Sequence, residues 1–472
     1  MAANDDRLSR GTIVALAAMA VAIFIIANDF TALSVAIPEI ENDLDTTLST
    51  AQWVINGYML VFGVLIVTGG RLDDMFGRKK MFIVGAVIFA GFSLLGGLAP
   101  NAAWLLGSRA LMGIGGALMW PAVLGMTYAI LPESKAGLAG GLVLGVAGFG
   151  NAVGPLLGGF LTDVLSWRWI FFVNVPIAAF GILVTAKEVP ESTGDTTTRQ
   201  IDYRGIALVS LGLLSLLLAL DEGPDLGWGD PEIIVLFVVA GLLLAGFALL
   251  EPHMGDAALI PSDVMANRAF AIACLTVLMM SAIFFSALLY IPQFMVKVLD
   301  YSALRSGAGL IPMMGVFALS SFVAGPLYAR LGPKLIVAIG AACLSVGMFL
   351  LSFIDADSSY VSLVPGLIVV GVGVGVFYSS ITTAGVTALD PSRTSLAGGI
   401  IYMCQIAGGA VGLGLNTAIV TSGSSLTDGI STAFRFDAAL ALVGLTITIL
   451  FVGGTVNLER IAALRNHHRA HA

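Results

Sequence analysis

Asp29 is an ionisable side chain in a place where ionisation is expensive. It stands nine residues before Pro38 in an apolar run that begins near residue 11. A helix built from that run would carry the carboxylate within the outer half of a bilayer, at a cost of about 2.5–3.5 kcal/mol on insertion scales. Arg109 stands eight residues after Asn101 in another such run, so the two side chains fall at similar depth and can pair. A guanidinium stays charged inside a protein, whereas a carboxyl group binds and releases a proton. The chemistry such a pair offers is reversible protonation coupled to movement. Its structural alternative is a carboxylate buried only to hold helices together.

The other reactive side chains point away from bond-breaking chemistry. Cys274, Cys343 and Cys404 all lie inside apolar runs, where a thiol is ordinarily a small apolar filler, and no disulfide is expected. His253, His467, His468 and His471 fall in loops or the tail, which leaves no buried imidazole for a metal or for acid-base work. No metal and no cofactor are expected. An integral-membrane enzyme is disfavoured because no His, Cys or paired-carboxylate constellation lies within the runs.

These residues are positioned by a chain that water cannot solvate. Of its 472 residues 58% are apolar and 11% charged, the net charge is −8 and the mean hydropathy is +0.97, where a soluble domain carries about 25% charged residues. A secreted, nucleic-acid-binding or cytosolic enzyme chain is excluded. A helix needs about 20 mostly apolar residues to cross a bilayer. Fourteen runs qualify, at approximately 11–38, 50–70, 80–99, 102–131, 136–163, 168–187, 202–220, 232–250, 267–292, 304–329, 333–354, 360–389, 394–421 and 436–457. The first is too long for the core of a signal peptide. With the N-terminus inside, 17 of the 22 Lys and Arg fall in cytoplasmic segments and four outside, Arg168, Lys297, Arg305 and Arg435, with Arg109 in the membrane. Basic residues accumulate on the cytoplasmic side, so a multi-pass protein of the cell membrane with both termini cytoplasmic is expected.

A repeat organises the runs. The segment GRLDDMFGRK from Gly70 reappears as GPLYARLGPK from Gly325, an offset of 255 that also carries the first run onto the ninth and the fourth onto the twelfth. The expected architecture is all-α: a six-helix bundle over 1–190, a linker with two inserted spans over 191–265, a second six-helix bundle over 266–457 and a cytoplasmic tail over 458–472. Parallel six-helix repeats are the architecture of a transporter that rocks about a central cavity. The inserted pair, which carries no ionisable group mid-span, is expected to stay out of that cavity.

With these features in place, the chain resembles the major facilitator superfamily, specifically its fourteen-helix drug:proton antiporter branch, over nearly its whole length. The segment GRLDDMFGRKK matches the family's loop between the second and third helices. RALMGIGGA from Arg109 is similar to the fourth-helix pattern R-x-x-q-G-x-g-a-A, with Met112 where glutamine is usual. GNAVGPLLGG from Gly150 matches the fifth-helix motif of exporters in full. QWVINGY from Gln52 and WRWIFFVNVP from Trp167 resemble signatures of the branch, and NDFTALSVAIP from Asn28 is similar to its first-helix motif, with Ser34 replacing an asparagine.

The resemblance implies a gate at Gly70, Asp74, Gly77 and Arg78, where Asp74 makes polar contacts across the two halves and Gly77 permits a tight turn. It assigns Gly150, Gly154, Pro155, Gly158 and Gly159 to the interface that closes during export. Proton coupling falls to Asp29 and Arg109. Polar and aromatic residues within the cavity-forming spans are substrate candidates: Asn28, Asn56, Tyr58, Asn151, Phe284, Phe285, Tyr378, Tyr402 and Gln405. Asp300, Asp355, Asp357, Asp390, Asp428 and Asp437 read as loop or interface, so Asp29 is expected to be the one carboxylate deep in a span. The implied activity is proton-coupled export of lipophilic neutral or monocationic compounds by a monomer among membrane lipids. A lipid or natural-product exporter of the same fold is an alternative, and a receptor or scaffold that does not transport is another.

Overall fold

The computed structural model describes residues 9–46, 48–132, 135–192, 202–255 and 258–452. The expected tail, with its three histidines, and residues 193–201 of the expected linker therefore lie outside the described residues.

Among the described residues seventeen α-helices follow in order: α1 (Arg10–Ala32), α2 (Ile37–Asp43), α3 (Leu48–Phe76), α4 (Arg78–Gly97), α5 (Ala102–Ile130), α6 (Ala136–Val164), α7 (Arg168–Glu188), α8 (Tyr203–Leu226), α9 (Pro231–Leu250), α10 (Ser262–Ala266), α11 (Arg268–Lys297), α12 (Ala303–Gly309), α13 (Ile311–Leu331), α14 (Pro333–Leu351), α15 (Tyr360–Val386), α16 (Thr394–Ser422) and α17 (Leu426–Phe451). Fourteen of the described helices are long and apolar enough to cross a membrane, and only α2, α10 and α12 are short. Helices dominate because lipid offers no partner to a backbone amide, so each segment satisfies its own.

The boundaries differ from the apolar runs where polar residues cap or extend a helix. The first run breaks at residues 33–35 into a 3-10 turn before α2, which carries Pro38 in its first turn. The tenth run divides at Leu310 into α12 and α13. The last begins ten residues early: the Ser425 hydroxyl accepts from the amide of Asp428 as a cap, and the helix runs on through Phe434–Asp437. On α2 the Asp43 carboxylate pairs with Arg168 and accepts from the indole of Trp167 at 3.1 Å. Arg168 holds that carboxyl below the usual carboxylate range.

Helices α1, α3, α4, α5, α6 and α7 pack among themselves, as do α11 and α13–α17. The two sets meet along two principal seams, α3 with α16 and α6 with α13. Of the inserted pair, α9 packs chiefly on α8, with Val235, Val238, Leu242 and Leu249 exposed. Helix α8 instead packs on α3 and α16.

Candidate functional site

Asp29 and Arg109 meet as expected. Arg109 Nη1 donates to Asp29 Oδ2 at 2.5 Å, and both side chains are fully buried. The guanidinium is further held by its Nε, which donates to the Val54 carbonyl at 2.7 Å, and by the Tyr58 ring, whose centroid lies 4.4 Å from Cζ. Met112, standing where glutamine is usual, places its sulfur 3.8 Å from Arg109 Nη1. The second carboxylate oxygen accepts from Asn174 Nδ2 at 3.2 Å. Asn174 escaped the sequence reading, although it sits inside the WRWIFFVNVP signature and is a polar residue in the middle of α7. Four helices, α1, α3, α5 and α7, thus converge on one ion pair.

The segment from Gly70 to Lys80 joins α3 to α4 at the end of the bundle where α1 begins. Gly77 has φ +106°, a conformation that costs an L side chain dearly, and a Cβ there would also stand 2.7 Å from the Glu191 carboxylate. The turn lets Arg78 fold back on Asp74, with Nη2 to Oδ1 at 2.9 Å. The pair then reaches the other half of the molecule: Arg78 Nη2 donates to the Pro391 carbonyl at 2.8 Å, and the Leu396 amide donates to Asp74 Oδ2 at 2.9 Å. Gly70 is the point of closest approach, since a Cβ there would lie 2.6 Å from the Ser395 carbonyl oxygen. Its repeat mate Gly325 does the same at the other seam, 2.4 Å from the Gly137 carbonyl oxygen. Between the seams the Tyr128 and Thr383 hydroxyls hydrogen-bond at 2.9 Å across a separation of 255 residues, the offset of the repeat. Asp73, which the sequence reading passed over in favour of Asp74, is also buried here, and its carboxylate oxygens have no hydrogen-bond partner among the described residues.

The glycines of the fifth-helix motif form the face of α6 that meets α1. Cβ atoms at Gly150, Gly154 and Gly158 would strike the Phe24 carbonyl, the Thr31 hydroxyl and the Ala32 carbonyl, the last at 2.0 Å. Small residues on one face are what allow helix backbones to approach this closely. Gly159 is buried beside them, and Pro155 turns instead toward a cavity.

That cavity, of about 890 Å³, lies between the two sets of helices in the half of the bundle away from Gly77. Its wall is mostly apolar, with Thr31, Ser34, Asn56, Asn151, Gln293, Ser306 and Thr417 as isolated polar points and, among the described residues, Lys297 as its one charged residue. A mostly apolar wall with a few placed polar groups is the form of a small-molecule site. Among the substrate candidates Asn56, Asn151, Phe285 and Tyr402 line it. Asn28, Tyr58, Phe284 and Tyr378 are buried in packing instead: Tyr58 faces Arg109, and Tyr378 hydrogen-bonds Ser281 at 2.9 Å. Gln405 is half-buried outside the wall.

Two expectations are corrected. Leu217, Leu218 and Leu220 of α8 form part of the wall, because α8 lies across the junction of α3 with α16. Asp437 is no interface residue: it lies mid-way along α17 and is fully buried. The charges of Arg435 and Asp437 read as the edge of a loop only until helical periodicity puts Arg435 outside and Asp437 inside.

The Major Facilitator Superfamily model matches residues 19–413 and 316–464. The chain is 32% identical over 467 residues to the puromycin resistance protein pur8 of Streptomyces alboniger, covering 97% of this chain and 91% of that one. It is 28% identical to a tetracenomycin C resistance and export protein of Streptomyces glaucescens, over 86% of this chain and 76% of that one. A multidrug resistance protein, Stp, of Mycobacterium tuberculosis is 30% identical over 89% and 78% of the respective chains. The crystal structure of the human organic anion transporter MFSD10 superposes with a TM-score of 0.64 at 14% identity, covering 93% of this chain and 99% of that one, which is a likeness of fold.

Proposed function

The chain belongs to the Major Facilitator Superfamily, and from that premise we propose that it is a proton-coupled exporter of lipophilic neutral or monocationic compounds, working by alternating access. Membership makes it a multi-pass membrane transporter and not an enzyme, and relatives named for drug and antibiotic resistance place it with small-molecule efflux. The observation that carries the finer reading is the neighbourhood of cavity and ion pair. Thr31 lines the cavity two residues from Asp29, and Asn56 lines it two residues from Tyr58, the ring that covers Arg109. A substrate entering that space and a proton arriving at Asp29 therefore act on the same two helices, α1 and α3.

We take residues 1–190 and 266–457 as the two rocking halves, 191–265 as the inserted linker and 458–472 as a tail. With both termini cytoplasmic, the charge distribution puts the Asp74–Arg78 latch inside and the cavity toward the outside. Protonating Asp29 weakens its hold on Arg109, loosens the junction of α1, α5 and α7, and lets the halves rock while the latch at Leu396 and Pro391 parts. A monomer suffices, since both halves of the site lie on one chain.

The test is purified protein in liposomes with an imposed pH gradient, supplied with cationic dyes, quaternary ammonium compounds or lipids. Proton movement triggered by a dye or ammonium compound is the expected result. Movement triggered by lipids alone would make lipid the substrate, and no proton movement with any of them overturns proton coupling.

A further inference from the structure

The second half of the molecule holds a buried carboxylate of its own. Asp437 lies eleven residues into α17, about 16 Å along its axis. It accepts from Asn416 Nδ2 at 3.1 Å, much as Asp29 accepts from Asn174. Ser286 lies against it, but the Ser286 hydroxyl, Asp437 Oδ2 and Asn416 Oδ1 are all buried with no hydrogen bond formed among the described residues. What it lacks is a cation. None of the ion pairs of the described residues includes Asp437, and the position related to Arg109 by the 255-residue offset is Val364.

The helices packed against α17 are α11, α14 and α16, and the groups they turn toward Asp437 are neutral. Helix α11 brings Ser286 and, within electrostatic reach, the phenol of Tyr290. Helix α14 brings Ser345, which donates to the carbonyl of Ala438 at 2.9 Å, and α16 brings Asn416. On α17 itself Arg435 points outward, and Asp428 lies exposed in the first turn, where its carboxylate accepts from Ser424. Burying an unpaired carboxylate among neutral groups costs far more than burying the acid. A hydroxyl donates or accepts as it rotates, so Ser286 can serve Asp437 Oδ2 as donor to the carboxylate or acceptor from the acid.

The site also has a way out. The Tyr290 hydroxyl hydrogen-bonds Thr417 Oγ1 at 2.7 Å, and Thr417 lines the cavity. We propose that Asp437 is a second proton-binding site, exchanging its proton with the cavity through Tyr290 and Thr417. The inference rests on the transport reading for its purpose, not for its chemistry. With Asp29 and Asp437 each carrying a proton inward for one monovalent cation carried out, the cycle moves net charge, whereas a single site makes it electroneutral.

Two measurements on the whole protein in liposomes separate the site from the transport reading. Infrared difference spectra recorded across a pH titration should show a carboxylic-acid carbonyl band that is missing in Asp437→Asn, retained in Asp29→Asn and restored in Asp437→Glu. Ser286→Ala, which keeps the carboxyl group, should shift that band, and it stands in should Asp437→Asn fail to fold. A spectrum unchanged by Asp437→Asn, or unmoved by Ser286→Ala, overturns the proposal. With ethidium as the exported cation, Asp437→Asn should bring the proton-to-ethidium ratio from about two to about one and remove the sensitivity to membrane potential. An unchanged ratio also overturns it. If the unaltered protein moves no protons with ethidium while the band titrates as described, the transport reading fails and the proton site stands.

Discussion

At the residue scale the molecule is decided by which buried charges have partners. Arg109 is paired with Asp29 and donates to the Val54 carbonyl, and removing one member of such a pair leaves an uncompensated charge, at about 3–5 kcal/mol. Asp29→Asn is therefore expected to lower thermal stability as well as to abolish pH-driven transport. Adding Arg109→Gln should recover much of the stability and none of the transport. Binding of tetraphenylphosphonium should survive Asp29→Asn where the carboxylate serves the proton alone, and full pH-driven activity in that variant would end its assignment as the coupling site. Asp74 makes a different case, because it spends its oxygens on Arg78 of its own half and on the Leu396 amide of the other. An amide in its place keeps one acceptor and presents a donor to a donor. Asp74→Asn should reduce transport several-fold in a protein that still inserts and folds, as initial uptake rates set beside melting curves will show; unimpaired transport would leave the loop a topological role alone.

At the element scale the decisive property is how near two helix backbones come. Helix α6 lies against α1 so closely that a methyl group at Gly158 has no room beside the Ala32 carbonyl. Overpacking of this kind costs about 1–3 kcal/mol, and here the displaced helix is the one that bears Asp29. Gly158→Ala should lower both the melting temperature and the transport rate. Gly91→Ala in α4 is the control, since nothing lies within 4 Å of a Cβ there, and alanine is the better helix former. Equal behaviour of the two variants in melting and transport would show that the α1–α6 contact tolerates a wider spacing. Not every glycine in these helices lies at a contact, and spacing in sequence does not tell one kind from the other.

At the scale of the whole molecule the question is which end faces the cytoplasm. The charge count argues for the proposed orientation: 17 basic residues fall on its cytoplasmic side against three on the outer side, with Arg435 carried inside α17. Single cysteines at Ser192 and Ser425, in a chain whose three native cysteines are replaced, should label from inside and from outside respectively with a membrane-impermeant maleimide. The reverse pattern would invert the map and with it the direction in which the cavity opens. On the proposed orientation the present arrangement is the outward-open one, latched where Asp74 and Arg78 hold Leu396 and Pro391.

Much of this was legible from residue order, because lipid imposes one-dimensional rules. Apolar length yields the fourteen spans, the 255-residue echo yields the paired halves, and a lone aspartate and arginine at matching depth yield the ion pair. Those rules fail where the answer depends on which way a helix faces. Asp437 looked like the edge of a loop because Arg435 and Asp437 are two charges at the start of an apolar run, and only the packing of α17 on α11, α14 and α16 turns it inward. Asn174 is one polar residue in an apolar span until α7 comes to rest on Asp29. Helix α8 carries the same apolar composition as a lipid-facing helix, yet its position across α3 and α16 makes three of its leucines a cavity wall. Composition and spacing decide that a helix is in the membrane and how deep each residue sits; its rotation about its own axis, and so whether a side chain meets lipid, cavity or partner, is set by contacts between segments far apart in sequence, and only the tertiary structure decides it.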